Sequence, residues 1–151
     1  MDEHEGPVGE LRLPVELSDP LIEEAGRADP EEACGLIIGR RRSRFVRAIR
    51  TVPCENCAPQ DVRGTRFEID ARRLIEEERA VRDSEEEVVG FYHSHPDSEP
   101  IPSKTDETYM ALWPDKVWVI VGRRAGQTGR TVRAWSMDLA DPASPKEVRL
   151  T

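Results

Sequence analysis

The sequence contains neither a long hydrophobic run nor an excess of basic charge. No stretch approaches the roughly 18 consecutive apolar residues that mark a membrane-spanning helix, and the acidic amino terminus has no apolar core of a signal peptide. The net charge is -8, with 30 acidic and 22 basic residues, which argues against nonspecific binding to nucleic acid. These features predict a cytoplasmic protein that binds neither membranes nor nucleic acid.

Cysteine is scarce, with three in 151 residues, which is too few for a four-cysteine structural metal site. Cys34 lies in an apolar run and is expected to be a buried small hydrophobe. Cys54 and Cys57 form a Pro-Cys-x-x-Cys string that could be a disulfide, a metal site completed by other residues, or an inert pair. Zinc deaminases combine such a string with a preceding His-x-Glu triplet. That triplet is absent before Cys54, so a deaminase-like hydrolase is the less favoured alternative.

The length suits a single domain that buries about two-thirds of its unfolded surface. We predict an acidic amino-terminal tail over residues 1–10, one folded domain over residues 11–138 and a carboxyl-terminal extension over residues 139–151. Residues 40–44 read Arg-Arg-Arg-Ser-Arg and predict a solvated hairpin turn, with contact to an acidic partner as the alternative.

Turn residues divide the chain into strands interleaved with helices, which predicts an α+β or α/β fold in a single domain. Strands are predicted over residues 11–17, 34–39, 44–52, 88–93, 117–121 and 131–137. The strand over residues 11–17 would be confined to a sheet edge by Pro14. Helices are predicted to follow the capping residues Ser18, Asp70 and Ser103 and to end near residues 28, 82 and 113. A flexible exit is predicted over residues 141–145.

Two histidines form the first chemical signal. The apolar residues 88–92 lead directly into His93, and residues two apart on a strand project to the same face, so His93 and His95 should point to one side. With Asp106 as a third ligand, the set contains two nitrogens and one oxygen. That is the composition of a catalytic zinc site whose fourth position is left to water.

For Asp106 and Glu32, the sequence also allows roles outside metal binding and catalysis. Ser103 and Asp106 also have the spacing of a helix amino-terminal capping motif, and capping and metal binding can both be true. Glu32 precedes a predicted buried strand, where a carboxylate could accept a proton from a metal-activated water and pass it to a leaving amine. The alternative is that Glu32 is one of the many solvated acidic residues of this chain.

Taken together, Glu32-x-Cys34-Gly35, His93-x-His95-Pro96 and Ser103-x-x-Asp106 resemble the JAMM signature of the MPN-domain (Mov34/MPN/PAD-1) zinc metallopeptidases. The resemblance extends from about residue 11 to residue 135. It implies a zinc ion bound by His93, His95 and Asp106, with Glu32 as general acid and base and Ser103 as a donor to the developing oxyanion. It also implies a curved mixed β-sheet flanked by helices, related to the cytidine deaminase architecture.

The resemblance further implies hydrolysis of an amide or isopeptide bond. Compact, prokaryotic-type members of this family act after the carboxyl-terminal glycines of ubiquitin-like or sulfur-carrier proteins. Residues 97–102 are expected to line the entrance for such a tail, because they are proline-rich and are held at both ends by site residues. The alternative is a noncatalytic binding or assembly module, against which the presence of Glu32 beside all three ligands argues. The sequence leaves open whether the chain forms a homodimer.

Overall fold

The computed structural model describes residues 6–138 and 140–151, which form seven strands and three α-helices. The strands are β1 (Glu10–Arg12), β2 (Cys34–Arg42), β3 (Phe45–Cys54), β4 (Glu87–Ser94), β5 (Val117–Arg123), β6 (Arg130–Asp138) and β7 (Asp141–Leu150). The helices are α1 (Val15–Ala28), α2 (Ala71–Val81) and α3 (Lys104–Leu112). None of the helices in this part of the chain has the length and apolar character needed to cross a lipid bilayer.

The strands close into a mixed barrel in the order β1-β3-β2-β4-β5-β6-β7. The predicted α+β fold, with a curved mixed sheet flanked by helices, is therefore wrong, because the sheet closes on itself and the fold is mostly sheet. Closure depends on β1, which pairs in parallel with β3 on one side and with β7 on the other. The predicted flexible exit over residues 141–145 is also wrong, because it is the first half of β7. Closure pairs backbone groups that an open sheet would leave exposed at its edges.

The first predicted strand is too long. Strand β1 ends at Arg12, and Val15 already begins α1, with Pro14 as its N-cap residue. Alternating apolar residues gave the sequence a strand pattern here, but the fixed φ of Pro14 suits a position at the start of a helix. The helix therefore begins before Ser18, contains Pro20, and ends at Ala28 as predicted.

Alternating side chains of the central strands pack into two apolar clusters on opposite faces of the sheet. In β5, Val119 joins Leu21 of α1 in one cluster, and Trp118 joins Met110 of α3 in the other. His93 lies two residues after Phe91 of β4, which belongs to the second cluster. The imidazole therefore projects towards the face covered by α2 and α3.

The predicted arginine hairpin joins β2 to β3, with Ser43 at a φ of 56° in the turn. Arg41 departs from the predicted solvated surface, since it is only 6% exposed. Its guanidinium group donates hydrogen bonds to the backbone carbonyls of Ser43, Asp115 and Gly6. Arg41 therefore ties the turn to two neighbouring segments of the fold.

The remaining predicted elements are present, and α2 begins where Asp70 accepts a hydrogen bond from the backbone N–H of Arg72. Cys34 is fully buried, as predicted, and Cys54 and Cys57 are free thiols. Residues 1–5 of the predicted acidic tail lie outside the described residues.

Candidate metal centre

Antiparallel pairing of β2 with β4 determines the position of the site. Cys34 at the start of β2 lies opposite His93 near the end of β4. The backbone N–H of Ser94 donates to the carbonyl of Ala33 at 3.0 Å, and the Ser94 hydroxyl oxygen accepts from the Ala33 N–H at 2.8 Å. These bonds bring Glu32, which precedes β2, next to the histidines more than sixty residues later.

The side chains of His93, His95 and Asp106 converge on one another in the interior. The two histidine Nε2 atoms are 3.2 Å apart, and Asp106 Oδ2 lies 3.1 Å from His93 Nε2 and 3.0 Å from His95 Nε2. All three residues are buried. The structure thus brings together the three ligand candidates that the sequence predicted.

The three separations match the edges of a coordination tetrahedron. Metal–ligand bonds of about 2.05 Å in tetrahedral geometry place neighbouring ligand atoms about 3.3 Å apart. Two imidazole nitrogens and a carboxylate oxygen form such a triangle around a shared cation, whereas a single proton cannot bridge all three pairs. Within residues 6–138 and 140–151, no other group of three or more potential ligands clusters in this way. The arrangement fits a metal site.

Charge and burial favour the metal-binding protonation states of Asp106 and His93, whereas His95 is shifted the other way. Burial disfavours ionisation of Asp106, but the two histidines and the Ser103 N–H outweigh it and hold the pKa of Asp106 well below its usual range. Burial dominates at His93 and lowers its pKa. At His95 burial also acts to lower the pKa, but the hydrogen bonds to Asp106 and Glu99 raise it overall. An ionised carboxylate beside a neutral His93 is the ligating form of these groups.

Different contacts hold the two imidazole rings in place. His95 Nδ1 lies 2.8 Å from the carbonyl of Glu99. Since a carbonyl only accepts, Nδ1 carries the hydrogen and Nε2 keeps its lone pair for a metal. His93 Nδ1 has no hydrogen-bond partner among the described residues, but its ring stacks on Phe67 with centroids 4.6 Å apart and an interplanar angle of 25°.

The loop over residues 97–102 is fixed to the barrel beside the site. The backbone N–H of Arg123 donates to the carbonyl of Ser98 at 2.8 Å, and the Trp135 indole N–H donates to the carbonyl of Pro100 at 2.9 Å. A β-carbon at Gly122 would collide with the backbone of Ser98 and Pro100. The loop therefore needs glycine at this position of β5 to pack so closely.

The carboxylate of Asp106 has two roles in the structure. Ser103 Oγ accepts a hydrogen bond from the Asp106 backbone N–H at 3.1 Å, and the Ser103 N–H donates to Asp106 Oδ2 at 2.9 Å. This reciprocal pair is the capping box at the start of α3,. The same Oδ2 atom contacts both histidines, so the cap also fixes the third candidate ligand. Ser103 is exposed, and no described residue accepts its hydroxyl hydrogen.

Glu32 is buried, with 5% of its surface exposed. Burial raises its pKa to about 8, opposed by the nearby charge of His95 and reinforced by that of Asp106. Its Oε1 atom has no hydrogen-bond partner in the described part of the chain. A buried carboxyl group that titrates near neutral pH can both accept and donate a proton, which excludes the alternative of a solvated surface glutamate.

The sequence reasoning missed an apolar cavity beside His93. It has a volume of about 510 Å³, and its lining includes Phe67, Ile69, Leu74, Tyr109, Trp113 and Trp118. The only local indication in the sequence was that the apolar residues Phe67 and Ile69 alternate with polar residues before α2. This alternation is too short to predict a cavity. Cys57 also lines this cavity, but neither Cys54 nor Cys57 belongs to the metal-binding group.

The packing of Tyr92 explains why a glycine, Gly35, follows Cys34 in the first motif element. The ring of Tyr92 lies where a β-carbon of Gly35 would be. The Tyr92 hydroxyl donates to the carboxylate of Glu24 on α1 at 2.8 Å. Gly35 therefore allows the residue before His93 to fix α1 to the barrel.

Comparisons with known proteins identify the family of this chain. The family model for prokaryotic homologs of the JAB domain matches residues 14–138. A desampylase from Haloferax volcanii is 33% identical over 133 residues, which cover 85% of this chain and 89% of the relative. A CysO-cysteine peptidase from Mycobacterium bovis is 33% identical over 119 residues, or 79% of this chain and 77% of the relative.

A solution structure of a protein from Desulfitobacterium hafniense supports the fold. It aligns with a TM-score of 0.77 and 23% identity over 93% of this chain and 91% of that chain. The family match covers every element of the signature, from Glu32 to Asp106. The chain therefore belongs to the prokaryotic homologues of the JAB domain, as the resemblance indicated, and it is a peptidase of the JAMM type.

Proposed function

We propose that this peptidase is zinc-dependent and hydrolyses the amide bond after the carboxyl-terminal glycines of a ubiquitin-like or sulfur-carrier protein. The observation that carries the chemistry is the convergence of three ligand atoms within 3.2 Å of one another. The substrate class is supported by the relatives, one named a desampylase and another a CysO-cysteine peptidase.

The proposed ligands are His93, His95 and Asp106. Two nitrogens and one carboxylate oxygen form a set typical of catalytic zinc, which keeps one position open. When bound, zinc would supply Lewis acidity that lowers the pKa of a water to about 7 and polarises a carbonyl. The hydrogen bond from His95 to Glu99 and the stacking of Phe67 on His93 hold the two rings ready for this ion.

Glu32 is the proposed general acid and base. Its buried, unpartnered oxygen is suited to accept one proton from the attacking water. It then delivers that proton to the amide nitrogen as the carbon–nitrogen bond breaks, giving a carboxyl group on the carrier and a free amine. A pKa raised to about 8 allows both transfers near neutral pH, because neither protonation state is strongly favoured there.

Ser103 is the proposed donor to the oxyanion, and its cap and donor roles can be separated by two substitutions. Glycine at an N-cap costs only a few tenths of a kcal/mol relative to serine, whereas alanine costs about 1 kcal/mol. Both remove the hydroxyl donor, so both should lower kcat by roughly a hundredfold. We expect Ser103→Gly to lose activity while its unfolding free energy stays near that of the parent, measured on the same sample. A stability loss in Ser103→Ala with unchanged kcat in both variants would leave the hydroxyl as a cap only.

The substrate is proposed to enter as an extended tail beside residues 97–102. A Gly-Gly tail has no side chains, so its backbone can approach the buried ligand group closely. The entrance loop is held at Ser98 and Pro100, which gives the tail a fixed surface to follow.

This substrate proposal predicts a strong requirement for glycine. A ubiquitin-like carrier whose terminal Gly-Gly is amide-linked to cysteine should be cleaved, with release of free cysteine measured by mass spectrometry. Replacing the last two glycines of the carrier with valines should block cleavage, because their branched side chains prevent close approach of the backbone. The zinc content of the enzyme is unaffected by this change and serves as the control. Equal cleavage of unstructured peptides without glycine preference would make the protein a general peptidase.

A further inference from the structure

A single loop covers both the proposed base and one proposed ligand. This loop, residues 55–68, connects β3 to the segment before α2. The carbonyl of Arg63 accepts a hydrogen bond from the backbone N–H of Glu32 at 2.7 Å. Four residues further on, Phe67 stacks on the ring of His93. The position of this loop therefore affects both Glu32 and His93.

Asn56 holds the loop closed and connects it to Glu32. Its Nδ2 group donates to the carbonyl of Glu32 at 3.1 Å and to that of Arg66 at 3.0 Å. Its Oδ1 atom accepts from the backbone N–H groups of Ala58 at 3.1 Å and Glu68 at 3.2 Å. The amide thus uses both of its hydrogens and both acceptor sites of its oxygen. Asn56 is the single asparagine of the chain.

These bonds divide into two groups with different consequences. The two acceptor bonds stabilise the loop locally, as asparagine and aspartate side chains do in many turns. Of the two donor bonds, the one to the Arg66 carbonyl also lies within the loop, whereas the one to the Glu32 carbonyl acts outside it. Together with the bond from the Glu32 N–H to Arg63, it fixes both backbone polar groups of Glu32, whose Oε1 atom has no partner among the described residues.

We infer that Asn56 is a positioning residue that holds Glu32 in the orientation required for proton transfer. This inference rests on the proposed role of Glu32 as general acid and base. Small displacements of a catalytic group are costly, and a misplacement of about 1 Å can lower a rate by about a hundredfold. The Cys-x-x-Cys string therefore contributes to the site through Asn56, one of the two residues between its cysteines.

Asn56→Asp tests the inference because it separates the two groups of bonds. Aspartate keeps an oxygen for Ala58 and Glu68 but cannot donate to the carbonyl of Glu32 or to that of Arg66. We expect kcat on the cysteine-linked carrier to fall by about tenfold to a hundredfold, with KM and zinc content unchanged. Unchanged kcat would overturn the inference. If Asn56→Asp does not fold, Asn56→Ser allows the same comparison, since serine supports a turn but cannot reach Glu32.

Ser84 provides a matched control in the turn between α2 and β4, where it contacts none of the site residues through its hydrogen bonds. Its hydroxyl donates to the carbonyl of Val81 at 2.8 Å and accepts from the N–H of Glu86 at 3.0 Å. Ser84→Ala removes comparable turn bonds, so it should lower the unfolding temperature without changing kcat. A purely structural role of Asn56 would give the same result in both variants.

A double-mutant cycle with Glu32→Gln shows whether Asn56 acts through Glu32. If it does, Asn56→Asp should have little further effect in the Glu32→Gln background, because residues that act as a unit are not additive. A full additional loss of kcat in the double variant would overturn the inference and leave the proposed function intact. Full activity of Glu32→Gln alone would refute the proposed function, and the inference with it.

Discussion

Glu32→Gln is expected to lower kcat by about two to four orders of magnitude, the range of general acid–base catalysis. Glutamine has nearly the same shape, but it cannot accept a proton from water or return one to the leaving amine. Glu32 is not one of the three converging ligands, so the variant should keep a full equivalent of zinc. Steady-state hydrolysis of the cysteine-linked carrier and elemental analysis on the same preparation measure both quantities.

Glu31→Gln is the matched control, since it makes the same chemical change one residue earlier. Glu31 is only partly buried, whereas Glu32 is buried. The control should therefore retain the parent rate. Equal rates for Glu32→Gln and the parent would contradict the proposed role, and loss of zinc from Glu32→Gln would indicate a ligand role instead.

Although Glu32→Gln should lower kcat, it should raise the unfolding free energy of the zinc-free protein. Burial raises the pKa of Glu32 from its ordinary 4.5 to about 8 in the folded state. Between these values the folded state binds more protons than the unfolded state, so this residue lowers the unfolding free energy as the pH rises. Glu32→Gln should remove that contribution. The stability difference between variant and parent should therefore grow from pH 4.5 towards pH 8, measured by chemical denaturation after chelation.

Loss of a metal ligand should abolish both zinc binding and hydrolysis. In His95→Ala, only His93 and Asp106 remain of the three protein ligands, and two protein ligands with water bind zinc far more weakly than three. Elemental analysis of the purified variant should show far less than one equivalent of zinc, and its activity should fall to background. A full equivalent of zinc in His95→Ala would exclude the proposed ligand set.

Two further variants test whether the loss of zinc is specific to the proposed ligands. His4→Ala removes the only histidine outside the pair and should retain zinc. Asp106→Asn separates the two roles of Asp106, because an amide oxygen can still accept from the Ser103 N–H but carries no charge. We expect this variant to keep α3 folded, as judged by circular dichroism, while losing zinc. Retention of zinc in Asp106→Asn would show that the carboxylate acts only in the capping box.

Part of this site could be predicted because strand alternation and helix capping depend only on residues close together in the sequence. The strand period of two predicted that His93 and His95 share a face, and the spacing of Ser103 and Asp106 predicted a helix cap. The structure confirms both, with the two Nε2 atoms 3.2 Å apart and a complete capping box. The link to Glu32 came from the family resemblance, since no local pattern relates residues more than sixty positions apart.

Barrel closure could not be predicted from local patterns. Residues 141–145 include two prolines, which disfavour a strand interior, yet they belong to β7, in which Asp141 and Pro145 lie opposite β6 and Arg149 and Leu150 pair with β1. The same holds for Asn56 and Phe67, whose partners Glu32 and His93 lie on other segments.

The sequence by itself determined most of the local elements, the ligand candidates and the family, because strand alternation, helix capping and motif spacing act within short windows. Only the tertiary structure decided that the sheet closes and that Asp106 both caps α3 and contacts the histidines. It also decided that Asn56 holds the backbone of Glu32. These contacts join distant segments, and the free energy that selects them comes from packing and hydrogen bonding across the whole fold.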